Sequence, residues 1–123
     1  MLSPSAAVRI FVCLEPVDLR KSFDGLFALV QHHLHLDPLS GHLFVFRNRS
    51  GQRLKILYWD RDGLALWYKR LEQGTFQLPT PVAGSADAGR EISAADLAML
   101  LEGIDLGAAR RRRYRRPAAR PTA

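Results

Sequence analysis

The spacing of apolar and polar positions changes period several times along this chain, and each change marks an element. Arg9 to Leu14 (R-I-F-V-C-L) is rich in β-branched and aromatic residues and predicts a strand, which Pro16 breaks. Phe23, Leu26, Phe27, Val30 and Leu34 then recur at helical intervals, so they share one stripe of a helix running to about His35. Asp18 or Ser22 can cap it. Asp37-Pro38 and Ser40-Gly41 stop it and turn the chain, because a residue before proline avoids helical geometry.

A period of two follows. His42 to Arg47 (H-L-F-V-F-R) reads as a strand, Asn48-Arg49-Ser50-Gly51 as a turn, and Gln52 to Asp60 (Q-R-L-K-I-L-Y-W-D) as the returning strand. Parity sorts the second strand: Leu54, Ile56 and Tyr58 on one face, Arg53, Lys55, Leu57 and Trp59 on the other. Arg61-Asp62-Gly63 turns the chain again. Leu64 to Glu72 fits a helix stopped at Gly74. It also fits a strand that turns at Glu72-Gln73-Gly74 into Thr75 to Leu78. The open edge of the preceding hairpin tips the reading to a strand. Pro79 to Gly89 has the composition of a loop. Ser93 caps a short helix from Ala94 to about Glu102, with Asp96 completing a variant capping box and Leu97, Leu100 and Leu101 forming its apolar face.

Together these elements predict an α+β fold: a small antiparallel β-meander of four or five strands centred on the His42–Asp60 hairpin. The main helix packs across one face and the short C-terminal helix closes the end. The expected core is Ile10, Val12, Phe23, Leu26, Val30, Phe44, Phe46, Leu54, Ile56, Tyr58 and Leu71.

Composition fits this picture and narrows it. The 123 residues, 47% hydrophobic and 24% charged, suit one domain and exclude a wholly disordered chain. No apolar run reaches the about 20 residues needed to cross a bilayer, and the N-terminus lacks a signal-peptide layout, so the cytoplasm is the expected location. A single cysteine, Cys13, excludes an internal disulfide framework.

The net charge of +6 is unevenly placed. Seven arginines and no acid lie between Arg110 and Ala123, and subtracting them leaves eleven cations and twelve acids, a balance of −1. The domain is therefore expected to span 1–109, with 110–123 a basic tail that cannot bury a core. Arg47 to Arg70 holds seven cations against Asp60 and Asp62, whereas Asp87 to Asp105 holds five acids against Arg90. Such polarity suits a polyanionic partner or charge pairing with another protein.

Four kinds of chemistry are conceivable. Asp18, Asp24, Asp60, Asp62 and Glu72 resemble a metal-nuclease set only loosely, since Asp60 and Asp62 flank a turn and Asp24 suits a helix start. His32, His33, His35 and His42 cluster at a helix end; His32 and His35 have the i, i+3 spacing that could share a metal, but there is no nearby cysteine or H-E-x-x-H pattern, and such histidines also suit free carbonyls. Cys13 lies among apolar neighbours, as inert thiols do. Basic and aromatic interleaving is the most suggestive. Arg47, Arg49, Arg53, Lys55, Trp59, Lys69 and Arg70, with Arg110, Arg111, Arg112, Arg113, Arg115 and Arg116, form a candidate nucleic-acid-binding set acting on phosphates and one stacked base. No catalytic residue, metal or cofactor is expected.

Four motifs occur in order: D-L-R-K-S-F-D-G-L (Asp18 to Leu26), G-H-L-F-V-F-R-N-R-S-G (Gly41 to Gly51), K-I-L-Y-W-D-R-D-G-L (Lys55 to Leu64) and K-R-L-E-Q-G-T-F (Lys69 to Phe76). With L-L-E-G-I-D (Leu100 to Asp105), this pattern resembles the accessory protein of the insertion sequence 66 family, called TnpB or Orf2-like, over roughly residues 5 to 106. It shares only a name with the RNA-guided nuclease. Leu106 and Leu78 stand where the family pattern often has tryptophan. The resemblance implies a non-catalytic helper in bacterial DNA transposition beside a separate, catalytic transposase, and the basic residues add DNA as an expected partner. A protein–protein adaptor that never touches DNA is the alternative, and a metal-dependent nuclease a more distant one.

Overall fold

The strands of the His42–Asp60 hairpin lie inside a five-stranded sheet in the computed structural model, which describes residues 7–79 and 84–103. The strands are β1 (Ile10–Cys13), β2 (Leu43–Arg47), β3 (Arg53–Asp60), β4 (Gly63–Arg70) and β5 (Gly89–Ile92). The helices are α1 (Phe23–His32) and α2 (Ala94–Leu101). Strand order is β4-β3-β2-β1-β5. The meander is β2-β3-β4, paired antiparallel, and β5 is antiparallel to β1. The single parallel pair is β1–β2, joined through α1 as parallel neighbours require a crossover. The fold is α+β and mostly antiparallel.

Leu64 to Arg70 extends as part of β4, paired with β3 along its whole length from Asp60↔Gly63 to Arg53↔Arg70. The expected strand from Thr75 to Leu78 does not form. That segment is irregular and docks on the β2–β3 turn instead, with Phe76 N–H donating to Gly51 O at 2.7 Å. Gly51 permits this at φ 79°, and a Cβ there would lie 3.0 Å from Thr75 Cβ. Docking buries Phe76 completely.

Two apolar clusters lie on opposite faces of the sheet. On one, Leu26 and Val30 of α1 meet Phe44, Phe46 and Leu57. On the other, Leu97 and Leu100 of α2 meet Leu43, Val45, Leu54, Ile56 and Phe76. The short helix therefore covers a face rather than an end. It also leaves β2 buried on both sides, so Leu43 and Val45 join the core beside the expected Phe44 and Phe46.

Other expectations shift locally. Phe23 opens α1 with 42% of its surface exposed, outside the buried stripe of Leu26 and Val30. Tyr58 and Leu71 are half-buried. Helix α1 ends at His32, short of His35, where His33 and Leu34 N–H groups both donate to Leu29 O and His35 turns to φ 55°. Ser22 occupies the N-cap of α1 without a side-chain bond, whereas Ser93 caps α2 as expected, its hydroxyl accepting from Asp96 N–H at 3.0 Å. The segment Gly89–Ile92, at the end of the expected loop, is a strand held by its register on β1.

Candidate nucleic-acid interface

Strand parity divides the basic residues of the middle of the chain into two sets. Arg47 lies opposite Leu54, and Lys69 does likewise across the next ladder, so both point to the α2 side of the sheet. There they are spent internally. Arg47 Nη1 donates to Phe76 O at 2.8 Å, its Nε is buried without a hydrogen-bond partner, and burial pulls its pKa down. Lys69 Nζ donates to Leu101 O at 2.8 Å, at the carbonyl end of α2 where a cation is favoured. These two residues tie the Phe76 segment and α2 to the sheet.

The other parity turns Arg53, Lys55 and Arg70 to the α1 side. An open groove of about 820 Å³ lies there. Its walls are the Pro16–Arg20 segment before α1, the Asn48–Ser50 turn, and Arg53 and Tyr68 from neighbouring strands. The turn is rigid for a reason visible in its residues. Asn48 Oδ1 accepts from Arg53 N–H at 3.0 Å, and Asn48 Nδ2 donates to Ser50 Oγ at 3.0 Å. That leaves Arg49 exposed at the tip.

Across the groove, Asp18 organises its own turn. Its carboxylate accepts from Arg20 N–H and from the Arg20 guanidinium, the closest contact being 2.7 Å. This pairing holds the Asp18 carboxyl at about 2, and Arg20 is raised in turn. The Arg20 side chain remains 91% exposed. Arg53 donates from Nη1 to the Tyr68 hydroxyl, and Lys55 Nζ sits 5.2 Å from the centre of the Tyr68 ring while donating to Lys21 O at 3.1 Å. Arg53 and Tyr68 thus form a fixed pair in the groove wall, with Lys55 held against the tyrosine ring.

The remaining candidates disperse. Trp59 shares the parity of Arg53 but stands six residues along β3, about 20 Å away at strand rise, opposite Leu64. Arg70 pairs with Glu72 at 3.0 Å. Arg110, Arg111, Arg112, Arg113, Arg115 and Arg116 lie outside the described residues. Asp60 and Asp62 flank the β3–β4 turn, and among the described residues no group of three or more His, Cys, Asp or Glu side chains is placed to hold a metal. Cys13 is buried, and desolvation pushes its thiol pKa up.

The sequence reading did not select Arg20 and Tyr68 for this site. Tyr68 was reachable, since an antiparallel hairpin places it opposite Lys55. Arg20 was not, because its position depends on how the Pro16–Ser22 segment folds back beside the hairpin, where Val17 N–H donates to Arg47 O at 2.9 Å.

Comparison with known proteins bears on what this groove serves. The chain is 39% identical over 117 residues to the uncharacterized protein y4jC of Sinorhizobium fredii, covering 95% of this chain and 97% of that one. It is 42% identical over 105 residues to the uncharacterized protein y4hO of the same organism, covering 85% and 88%. No solved structure matches. The profile of the IS66 Orf2-like proteins matches residues 8–111, which include both helices, all five strands and the whole groove wall, and the chain therefore belongs to that family, with the transposition-associated accessory role that membership implies.

Proposed function

We propose that this protein is a non-catalytic accessory factor that binds DNA during transposition of a bacterial insertion sequence, leaving bond breakage to a separate transposase. The observation that supports this reading is the gathering of Arg20, Arg49 and Arg53 around one groove, in which Asp18 is the sole acidic wall residue among the described residues and is itself paired. Guanidinium groups so placed hold phosphates by charge and position the duplex without reading its sequence. Lys55 lies beside this set, and the arginines from Arg110 to Arg116 add positive charge to the chain. Binding then weakens steeply with salt, because each neutralised phosphate releases a counterion. A mobility-shift titration on terminal-repeat DNA over a salt series tests this, using full-length protein and protein lacking Arg110 to Ala123. Loss of most binding on truncation is expected. Salt-independent retention by the truncated protein would count against the reading.

An adaptor role is the second reading, and one observation favours it. A concavity of about 530 Å³ includes Glu15, Asp87 and Glu91 in its walls, Glu91 being paired with Arg9 at 2.7 Å, and these acids suit a basic patch on the transposase. Co-purification with the transposase after nuclease digestion, without any gel shift at low salt, would establish that reading instead.

A further inference from the structure

The groove carries more than charge. Tyr68 belongs to neither apolar cluster, yet it is 48% exposed on β4 and lines the groove. Its hydroxyl is fixed by Arg53 and its ring lies under Lys55. Cross-strand contacts rather than core packing hold this ring, and an immobilised, half-exposed ring in a cationic cleft is a stacking platform. A duplex keeps its base faces covered and offers this ring nothing. A single strand offers both a base face and a flexible phosphate backbone that can follow the walls.

We propose that this groove binds a short single-stranded stretch of nucleic acid, with one base stacked on Tyr68 and the adjoining phosphates held by Arg20, Arg49 and Arg53. The inference rests on the DNA-binding reading above and narrows it to unpaired nucleotides. The volume, about 820 Å³, falls in the range of roughly 300–1,000 Å³ that accommodates small ligands, so a nucleotide or two can enter it, while a duplex meets only the arginines at its rim. Arginine geometry suits the phosphates, since each planar fork can engage two oxygens. Asp18 does not repel them outright. Its charge is met by Arg20, which also orients that guanidinium at the groove edge. An acidic peptide would satisfy the same arginines but leave the tyrosine ring unused, which is why nucleic acid is favoured. Staggered breakage of duplex DNA supplies such unpaired nucleotides at its ends.

Fluorescence anisotropy on the full-length chain tests this, with oligothymidylate and a duplex of equal length as probes, compared at one low salt concentration and then followed over a salt series. Tyr68→Ala is expected to weaken oligothymidylate binding about tenfold and duplex binding by much less, while Tyr68→Phe keeps the ring and loses less than about twofold. Arg49→Ala, in an exposed turn where folding is not at stake, is expected to weaken oligothymidylate binding and lower its salt slope by about one. If Tyr68→Ala loses no more than Tyr68→Phe, or loses both probes equally, the groove assignment is overturned. Equal competition by an oligoglutamate of matched charge overturns it too. Salt-sensitive duplex binding that survives those results leaves the broader reading standing. Failure to bind either probe at low salt removes that reading and this inference together.

Discussion

The two faces of the sheet use the same kind of residue for opposite purposes. On the α2 side, Arg47 and Lys69 are drawn onto the carbonyls of Phe76 and Leu101, and they hold an irregular segment and a helix end in place. On the α1 side, Arg20, Arg49 and Arg53 border an open groove and keep much of their hydrogen-bonding capacity toward solvent. Arg47 and Arg49 are two positions apart, yet one is half-buried and the other exposed. A cation's role here follows from strand parity and turn position, not from its membership of a basic stretch.

The contrast can be broken from the α2 side with the largest effects. Phe76→Ala should cost about 3–5 kcal/mol, because the side chain is fully buried and its loss leaves a cavity under the β2–β3 turn. Urea denaturation measures this, and a loss below about 1 kcal/mol would mean that the segment is not docked as described. Arg47→Ala should cost about 1–3 kcal/mol by leaving Phe76 O unpaired, with DNA affinity retained among folded molecules. A fall in affinity without a fall in stability would place Arg47 with the groove residues instead. Ser93→Ala should cost about 1 kcal/mol through loss of the α2 cap. On the α1 side, Arg49→Ala should change stability by less than about 0.5 kcal/mol, since Arg49 is exposed, yet it should weaken DNA binding.

The smallest effect concerns acid. The Asp18 carboxyl is lowered from 3.8 to about 2 by Arg20, so the pair's stabilisation is present above the ordinary value and is lost as pH falls toward the lowered one. Asp18→Asn should flatten that part of the melting-temperature profile slightly. As both partners are exposed, a large step would contradict the surface position assigned to them.

Much of this architecture was legible because local signals agreed. Helical spacing located α1, and the Asn48–Gly51 turn with alternating flanks located the β2–β3 hairpin. The free hairpin edge led to β4. Parity correctly separated Leu54 and Ile56 from Leu57. The misses share a cause in long-range packing. Gly89–Ile92 lacks the usual strand residues apart from Ile92 and is made a strand by pairing with β1. Leu43 and Val45 were passed over because alternation presumes one wet face, and β2 has none. Charge and parity put Arg49 and Arg53 among the candidates, and both line the groove, with Lys55 beside Tyr68. Arg47 and Lys69 face the other side of the sheet, and Trp59 stands at the far end of β3. Arg20 needed the tertiary fold to enter the groove.

The position of β1 between β2 and β5 has a consequence for biosynthesis. Arg9 beside β1 and Glu91 within β5 meet across 82 positions of sequence. A ribosome releases β1 early, and the meander can assemble as soon as β4 has emerged. The outer rim of β1 nevertheless stays open until the Gly89–Ile92 strand leaves the exit tunnel. Closing so long a loop is slow, and the waiting rim is a template for mispairing with a neighbouring nascent chain. Ribosome stalling before residue 92 should therefore trap an aggregation-prone intermediate, and release past that point should cure it.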